Sequence, residues 1–167
     1  MRPLPSDTAG ASRPCLPEEL LASSAFLLGR LGYGVKEQMF EEFERAGFSP
    51  YHFSVLALLD EGARATQVEI ADTLRVDRSQ LVGLLDQLEE RGLVERRRDP
   101  NDRRRHLVSL TPAGKRQLQS LRKLVRRIED EIFAPLDAEE RAMLHDLLLR
   151  LAGHRDPRFL PLARGVR

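Results

Sequence analysis

Arginine is concentrated in one short stretch of the chain. Residues 96–106 carry six arginines against two aspartates, a local charge of 6 − 2 = +4, whereas the whole chain is only +1. Guanidinium groups can bind phosphate oxygens and base edges in a bidentate manner. The arginines are Arg96, Arg97, Arg98, Arg103, Arg104 and Arg105, and the acids are Asp99 and Asp102. Concentrated charge of this kind is typical of a footprint on a nucleic acid.

A second group of polar residues follows Asp77. It comprises Arg78, Ser79 and Gln80, with Gly83, Asp86 and Gln87 further along the same segment. Arginine pairs with guanine, glutamine with adenine and serine with several bases when such side chains enter the major groove at the start of a helix. The alternative is that they form the solvated face of a surface helix. Their closeness to the arginine-rich stretch favours the nucleic-acid interpretation.

Residues that could carry out catalysis are sparse. The four histidines lack metal-ligand spacing, no phosphate-cradling glycine loop is present, and the single Cys15 allows neither an intrachain disulfide nor a multi-cysteine metal site. We therefore expect no enzyme activity, no cofactor and no metal. Two rival interpretations stay open: an enzyme, which would turn over a small molecule without binding an operator, and an architectural protein, which would bind random duplex equally well.

Capping signals predict the elements that position these residues. Thr66 with Glu69 three positions later predicts a short helix to residue 74, and Asp77 with Gln80 predicts a second helix to residue 91. Residues 93–97 and 105–110 are compatible with β-strands, and the turn residues 99–102 join them into a hairpin. Two helices separated by a tight turn and followed by a basic hairpin predict a winged helix-turn-helix.

The remaining chain is predicted to be helical between two terminal segments. A long first helix from Glu18 ends near Gly47, a second begins at Ser49, a fifth opens at Thr111 and a sixth follows Asp137. The fold class is mainly α (α+β), with six helices and a two-stranded wing. We expect an N-terminal arm over 1–17, a helical dimerisation region over 18–48 and 111–154, a DNA-binding lobe over 49–110 and a basic tail over 155–167.

Apolar spacing and the lack of long apolar runs add two expectations. A heptad-like seam in the fifth helix, formed by Leu118, Leu121, Val125, Ile128 and Ile132, predicts packing on a partner helix. No apolar run approaches the roughly 18 residues of a membrane span, and the N-terminus lacks a secretion signal, so we expect a cytoplasmic protein without a membrane partner.

The stretch from Val76 to Arg96, followed by 99–104 and 107–114, resembles the MarR family of bacterial transcription regulators. The resemblance covers roughly residues 18–154. It implies a homodimer that pairs through its first, fifth and sixth helices and binds a pseudopalindromic double-stranded operator. The usual activity implied is repression, relieved by a small molecule or an oxidant.

The resemblance also assigns roles to individual residues. Asp102 organises the wing tip, Arg104 enters the minor groove, and Arg96 supports this loop or touches phosphate. Thr66 and Gln67 are placed to offer donors to phosphate. The predicted DNA contacts are Thr66, Gln67, Arg78, Ser79, Gln80, Gln87, Arg96, Arg98, Asp102, Arg103, Arg104 and Arg105.

The release from the operator that the resemblance implies has three candidate triggers. Ala25 occupies the position of the reactive cysteine of peroxide-sensing members, and Cys15 lies about ten residues upstream without a feature that would lower its pKa. The chain has no tryptophan, which argues against the urate-responsive subclass. A non-covalent ligand remains, with Tyr33, Phe48, Tyr51 and His52 as predicted contacts; alternatively, Tyr33 and Phe48 are ordinary core and His52 is a surface residue.

Overall fold

The computed structural model describes residues 15–62, 65–99 and 106–159 of the chain. In chain order its elements are α1 (Glu18–Leu21), α2 (Ser24–Arg45), α3 (Pro50–Gly62), β1 (Ala65–Thr66), α4 (Gln67–Leu74), α5 (Arg78–Glu90), β2 (Val94–Arg98), β3 (His106–Leu110), α6 (Pro112–Ile132) and α7 (Ala138–Arg155), followed by a 3₁₀ turn (Pro157–Phe159). The predicted class, helices with a small antiparallel sheet, is confirmed.

Helix starts agree closely with the capping signals. Thr66 and Asp137 each complete a capping box, with Glu69 and Glu140 respectively bonding back to the cap amide. Thr111 accepts the amide of Gly114 at 3.0 Å and so starts α6. These side chains satisfy amides that have no partner within the helix, which is why local sequence alone locates the ends.

The predicted first helix is divided in two. α1 is a single turn, and α2 begins anew at Ser24. Ser23 ends the first segment and accepts the amide of Phe26 at 3.2 Å through its Oγ, so its side chain starts a second helix. The described chain therefore contains seven α-helices rather than six.

The sheet has three strands, not the predicted two. β3 lies in the centre and pairs antiparallel with β2 over five residues and with β1 over two, Ala65 opposite Val108 and Thr66 opposite Leu107. β1 directly precedes α4, so the start of the helix-turn-helix is attached to the wing. A two-residue strand carries no periodicity, which is why the sequence pattern did not predict it.

The chain divides into two compact units, residues 1–37 and 38–167. The core lies in the second unit, where α3 packs against α4, α5, α6 and β3. Leu118, Leu121 and Ile128 of the α6 seam are at most 1% exposed within the single chain. The seam is predicted to pack on a partner helix, and the helix it packs on is α3 of the same chain.

Other apolar side chains face outward. In the first unit, Leu27, Leu28 and Leu31 are exposed, and in the second unit α7 exposes an apolar face. The exposed α7 residues are Met143, Leu147, Leu148 and Leu151. In the described residues no helix has the length and apolar character needed to cross a membrane.

Part of the predicted C-terminal tail packs near the helix-turn-helix. Arg158 Nη1 donates to the carbonyl of Thr73, near the end of α4, at 2.6 Å. The same guanidinium hydrogen-bonds Asp156 and holds the pKa of that carboxyl down, at about 2. Asp156 also lies 3.8 Å from the Arg75 guanidinium. The residues after Phe159 lie outside the described chain.

Candidate nucleic-acid interface

The turn between α4 and α5 is fixed by its two flanking caps. Arg75 ends α4 in the left-handed conformation (φ 50°, ψ 42°), and the amide of Val76 donates to the Ala71 carbonyl at 3.1 Å. Asp77 then starts α5 by accepting the amides of Ser79 at 2.8 Å and Gln80 at 3.4 Å. Two helices joined by so short a turn have the geometry of a helix-turn-helix.

Helix α5 has one buried and one exposed side. Leu81, Leu84, Leu85 and Leu88 anchor it in the core. The predicted base-contacting residues at its start, Arg78, Ser79 and Gln80, are all exposed. The structure thus brings these three together at one exposed helix end, while other residues pack the helix into the core.

The hydrogen bonds of the Asp77 cap stabilise the charged form of its carboxylate. The Ser79 hydroxyl donates to the Asp77 carboxylate, and this bond, with the backbone amides of Ser79 and Gln80, lowers the pKa of Asp77. The hydroxyl proton of Ser79 is therefore engaged in the cap, while its oxygen lone pairs remain available as acceptors.

Thr66, one of the two predicted phosphate donors at the start of α4, is engaged with Glu69. Both the amide and the hydroxyl of Thr66 donate to Glu69 Oε2, at 2.7 and 2.9 Å. Gln67, the first helical residue, is half-buried. A phosphate at this helix end would compete with a carboxylate for the Thr66 donors.

Arg96 joins the wing to the recognition helix α5. Its Nε donates to Glu89 at 2.8 Å, its Nη2 donates to Asp86 at 2.6 Å and to Glu89, and its amide donates to Glu89 Oε1 at 3.1 Å. The side chain is only 21% exposed. These bonds raise the pKa of Arg96 and lower the pKa of Glu89. Of its two predicted roles, the geometry favours support, because Nε and Nη2 both donate to carboxylates of α5.

The other wing arginines differ from Arg96 in exposure. Arg97 is exposed and pairs with Glu95 at 2.9 Å, and Arg98 at the end of β2 is exposed. Both lie on a strand that leads away from the core. The predicted tip contacts Asp102, Arg103, Arg104 and Arg105 lie outside the described residues.

A buried polar contact lies between α3 and α5. His52 is 5% exposed, its Nδ1 accepts the Ser49 amide at 3.0 Å, and its Nε2 has no hydrogen-bonding partner among the described residues. Burial lowers the pKa of His52, the charge of Arg91 lowers it further, and the nearby Gln87 side chain acts in the opposite direction. Gln87, a predicted DNA contact, therefore lies on the side of α5 nearest α3.

Arg91 is a functional candidate that the sequence patterns missed. Its Nη1 donates to the Gly47 carbonyl at 2.6 Å, and its guanidinium stacks over Phe48 at 4.9 Å from the ring centroid. Phe48 in turn makes an edge contact with His52, with the ring centroids 6.0 Å apart. The end of α5 is thereby attached to the connection between α2 and α3, a long-range contact that no local spacing signals.

The predicted ligand contacts fall into two groups. Tyr33 and Tyr51 are exposed, whereas Phe48 and His52 pack on each other. His52 is thus not a surface residue and Tyr33 is not core. A separate groove of about 460 Å³ lies beside α6, where it is lined by Ala46, Gln117, Ser120, Leu121, Lys123, Leu124 and Arg127. In the described residues, no cluster of histidine, cysteine and acidic side chains is arranged to hold a metal.

Known proteins share both the sequence pattern and the fold. The sequence pattern of the MarR family matches residues 46–105. The HTH-type transcriptional regulator YdgJ of Bacillus subtilis (strain 168) is 34% identical over 119 residues, which cover 71% of this chain and 73% of YdgJ.

Two solved protein–DNA complexes are also similar. The transcriptional repressor CouR, bound to a 23-mer DNA duplex, is 36% identical with a TM-score of 0.73, covering 84% of this chain and 99% of CouR. A mutant of E. coli MarR complexed with operator DNA is 31% identical with a TM-score of 0.63, covering 76% of this chain and 94% of that one. With the helix-turn-helix and the arginine-bearing wing strand, these similarities place the chain in the MarR family of transcriptional regulators.

Proposed function

We propose that this protein is a non-enzymatic, dimeric repressor that binds a pseudopalindromic operator in the cytoplasm. Each protomer inserts the start of α5 into the major groove and applies the arginines of its wing to phosphates and the minor groove. The observation that carries the proposal is the exposed start of α5, a helix whose second half is held by the Arg96 network to an arginine-rich strand. Repression is proposed by similarity to CouR, which is a transcriptional repressor.

The exposed apolar faces support the dimer. α7 and the N-terminal unit leave leucines exposed that a second copy of the chain could cover. Two recognition helices related by a two-fold axis read half-sites about one helical turn apart, which is 10–10.5 base pairs or roughly 34 Å. The 23-mer bound to CouR has room for two such half-sites.

A small-molecule effector is the third part of the proposal. Tyr33, Phe48, Tyr51 and His52 remain its proposed contacts. Because Phe48 and His52 adjoin Arg91 and Gln87, a ligand that moved them would act directly on α5. This connection gives an effector a physical route to operator release.

Operator choice tests the proposed function. At fixed salt, fluorescence anisotropy should show affinity for the promoter region of the protein's own gene about 10³-fold or more above that for random duplex.

Arg104→Ala should weaken operator binding by at least several-fold while leaving the dimer folded, because a minor-groove cation is lost. Equal affinity for both duplexes would indicate an architectural protein, and unchanged affinity in the variant would refute the Arg104 role.

The dimer is tested at α7. Leu147→Glu places a carboxylate in the exposed apolar face, and we expect sedimentation equilibrium to shift from twice the 19.0 kDa chain mass towards the single chain. Ala142→Glu introduces the same charge on a different side of α7 and should leave the dimer intact. A monomeric wild-type protein, or equal behaviour of the two variants, would contradict this interface.

A further inference from the structure

Two adjacent residues in the middle of α5, Val82 and Gly83, are exposed. Val82 is 42% exposed, although it lies between the buried Leu81 and Leu84. A Cβ added to Gly83 would meet no described atom within 4 Å outside its own helix backbone and chain neighbours. Packing among the described residues therefore does not require the absence of a side chain at Gly83, and it leaves much of Val82 uncovered.

The backbone does not require them either. Gly83 lies inside a continuous helix and is not among the glycines with positive φ, which are Gly47 and Gly92. Valine and glycine are both poorer helix formers than alanine. The pair thus weakens the helix, and at Gly83 no described neighbour requires the missing side chain, so we look to a partner outside the chain for its explanation.

The surroundings of the pair identify the partner. Residues three and four apart share a helix face, so Val82 lies beside Arg78, Ser79 and Asp86. Our proposed function places this face against base edges. The C5-methyl group of thymine is the apolar feature that a side chain meets there.

We propose, on the basis of the proposed function, that Val82 and Gly83 form a thymine-reading step of the recognition helix. The isopropyl group of Val82 packs against the C5-methyl of a thymine in each half-site, and Gly83 lets the α5 backbone approach the base edges closely. A β-branched side chain has one strongly preferred rotamer in a helix, so Val82 loses little freedom on binding. The two residues thus distinguish thymine by shape and apolar contact. Arg78 and Gln80 make polar contacts beside them.

Removal of single methyl groups from the DNA tests the role of Val82. Each thymine of the operator is replaced by deoxyuridine, and anisotropy titrations compare wild type, Val82→Ala and the exposed-valine control Val68→Ala. At one symmetric pair of thymines, the change to deoxyuridine should weaken binding by wild type and Val68→Ala about fourfold per half-site. Val82→Ala should bind the thymine and deoxyuridine operators equally well at that position. The assignment would be overturned if no deoxyuridine replacement weakened binding by the wild type. It would also be overturned if Val82→Ala lost as much affinity as the wild type at the sensitive position.

The same titration separates the two proposals. If the wild type binds the operator no better than random duplex, the proposed function and the thymine-reading step both fail. If it binds the operator tightly but ignores every methyl group, the regulator stands and only the thymine-reading step fails.

Gly83→Ala gives an independent test in which stability and binding change in opposite directions. The added methyl group meets no described neighbour and improves helix propensity, so the melting temperature should rise by about 2 °C. Operator affinity should fall by about tenfold, because the new Cβ holds the backbone away from the bases. A variant that is more stable and binds the operator as tightly as wild type would show that close approach at Gly83 is not needed.

Discussion

Replacing Arg96 with methionine should reduce operator affinity by at least about tenfold, more than the loss of an exposed wing arginine. The Arg96 guanidinium neutralises Asp86 and Glu89 on the recognition helix and ties β2 to α5. Without it, two carboxylates of α5, at 48% and 38% exposure, lose their cationic partner on a helix that must approach DNA phosphates. Anisotropy titration at fixed salt measures the loss.

Two matched variants show whether support or phosphate contact is responsible. Arg97→Met removes the same charge from the same strand, but its partner Glu95 lies outside α5, so it reports the general electrostatic contribution. In the Arg96→Met background, Asp86→Asn with Glu89→Gln removes the repulsion and should restore most of the affinity. Failure of this rescue would mean that Arg96 itself binds phosphate and that its role as a support is wrong.

The sequence predicts those parts of the fold that depend on neighbours along the chain. Caps such as Thr66, Asp77 and Asp137 bond to amides two or three residues away, so their pattern is complete in the sequence. Gly92, at φ 65°, ends α5 for the same local reason. These signals were enough to predict the helix-turn-helix and to place Arg78, Ser79 and Gln80 at an exposed helix start.

Long-range pairing is what the sequence could not supply. The periodicity of α6 indicates an apolar side but not its partner, and Leu118 and Ile128 turned out to pack within their own chain. Arg96 belongs to a run of arginines that look alike in sequence. The family resemblance left its role open between support and phosphate contact, and the contacts across 7 and 10 residues, to Glu89 and Asp86, favour support. His52 is similar, since a lone histidine on an amphipathic helix gives no signal of burial.

Gly114→Ala should destabilise the protein, although the same change at Gly83 should stabilise it. A Cβ at Gly114 would lie 2.0 Å from the Leu93 carbonyl oxygen and 3.0 Å from Leu110 Cδ2. The carbonyl is fixed, because it accepts the amide and the hydroxyl of Thr111 at 3.1 and 3.2 Å. Relief of the clash must therefore disturb the junction where the wing joins α6.

We expect Gly114→Ala to lower the free energy of unfolding by about 1–3 kcal/mol, the usual range for overpacking, and the melting temperature by about 2–4 °C for each kcal/mol. Thermal and urea unfolding of both alanine variants beside wild type provide the measurement. Each variant adds one methyl group to a helix, so propensity favours both, and a loss of stability at Gly114 reports the clash with Leu93. A Gly114→Ala melting temperature at or above wild type would mean that the wing junction yields freely, so that the wing is not held rigidly against α6.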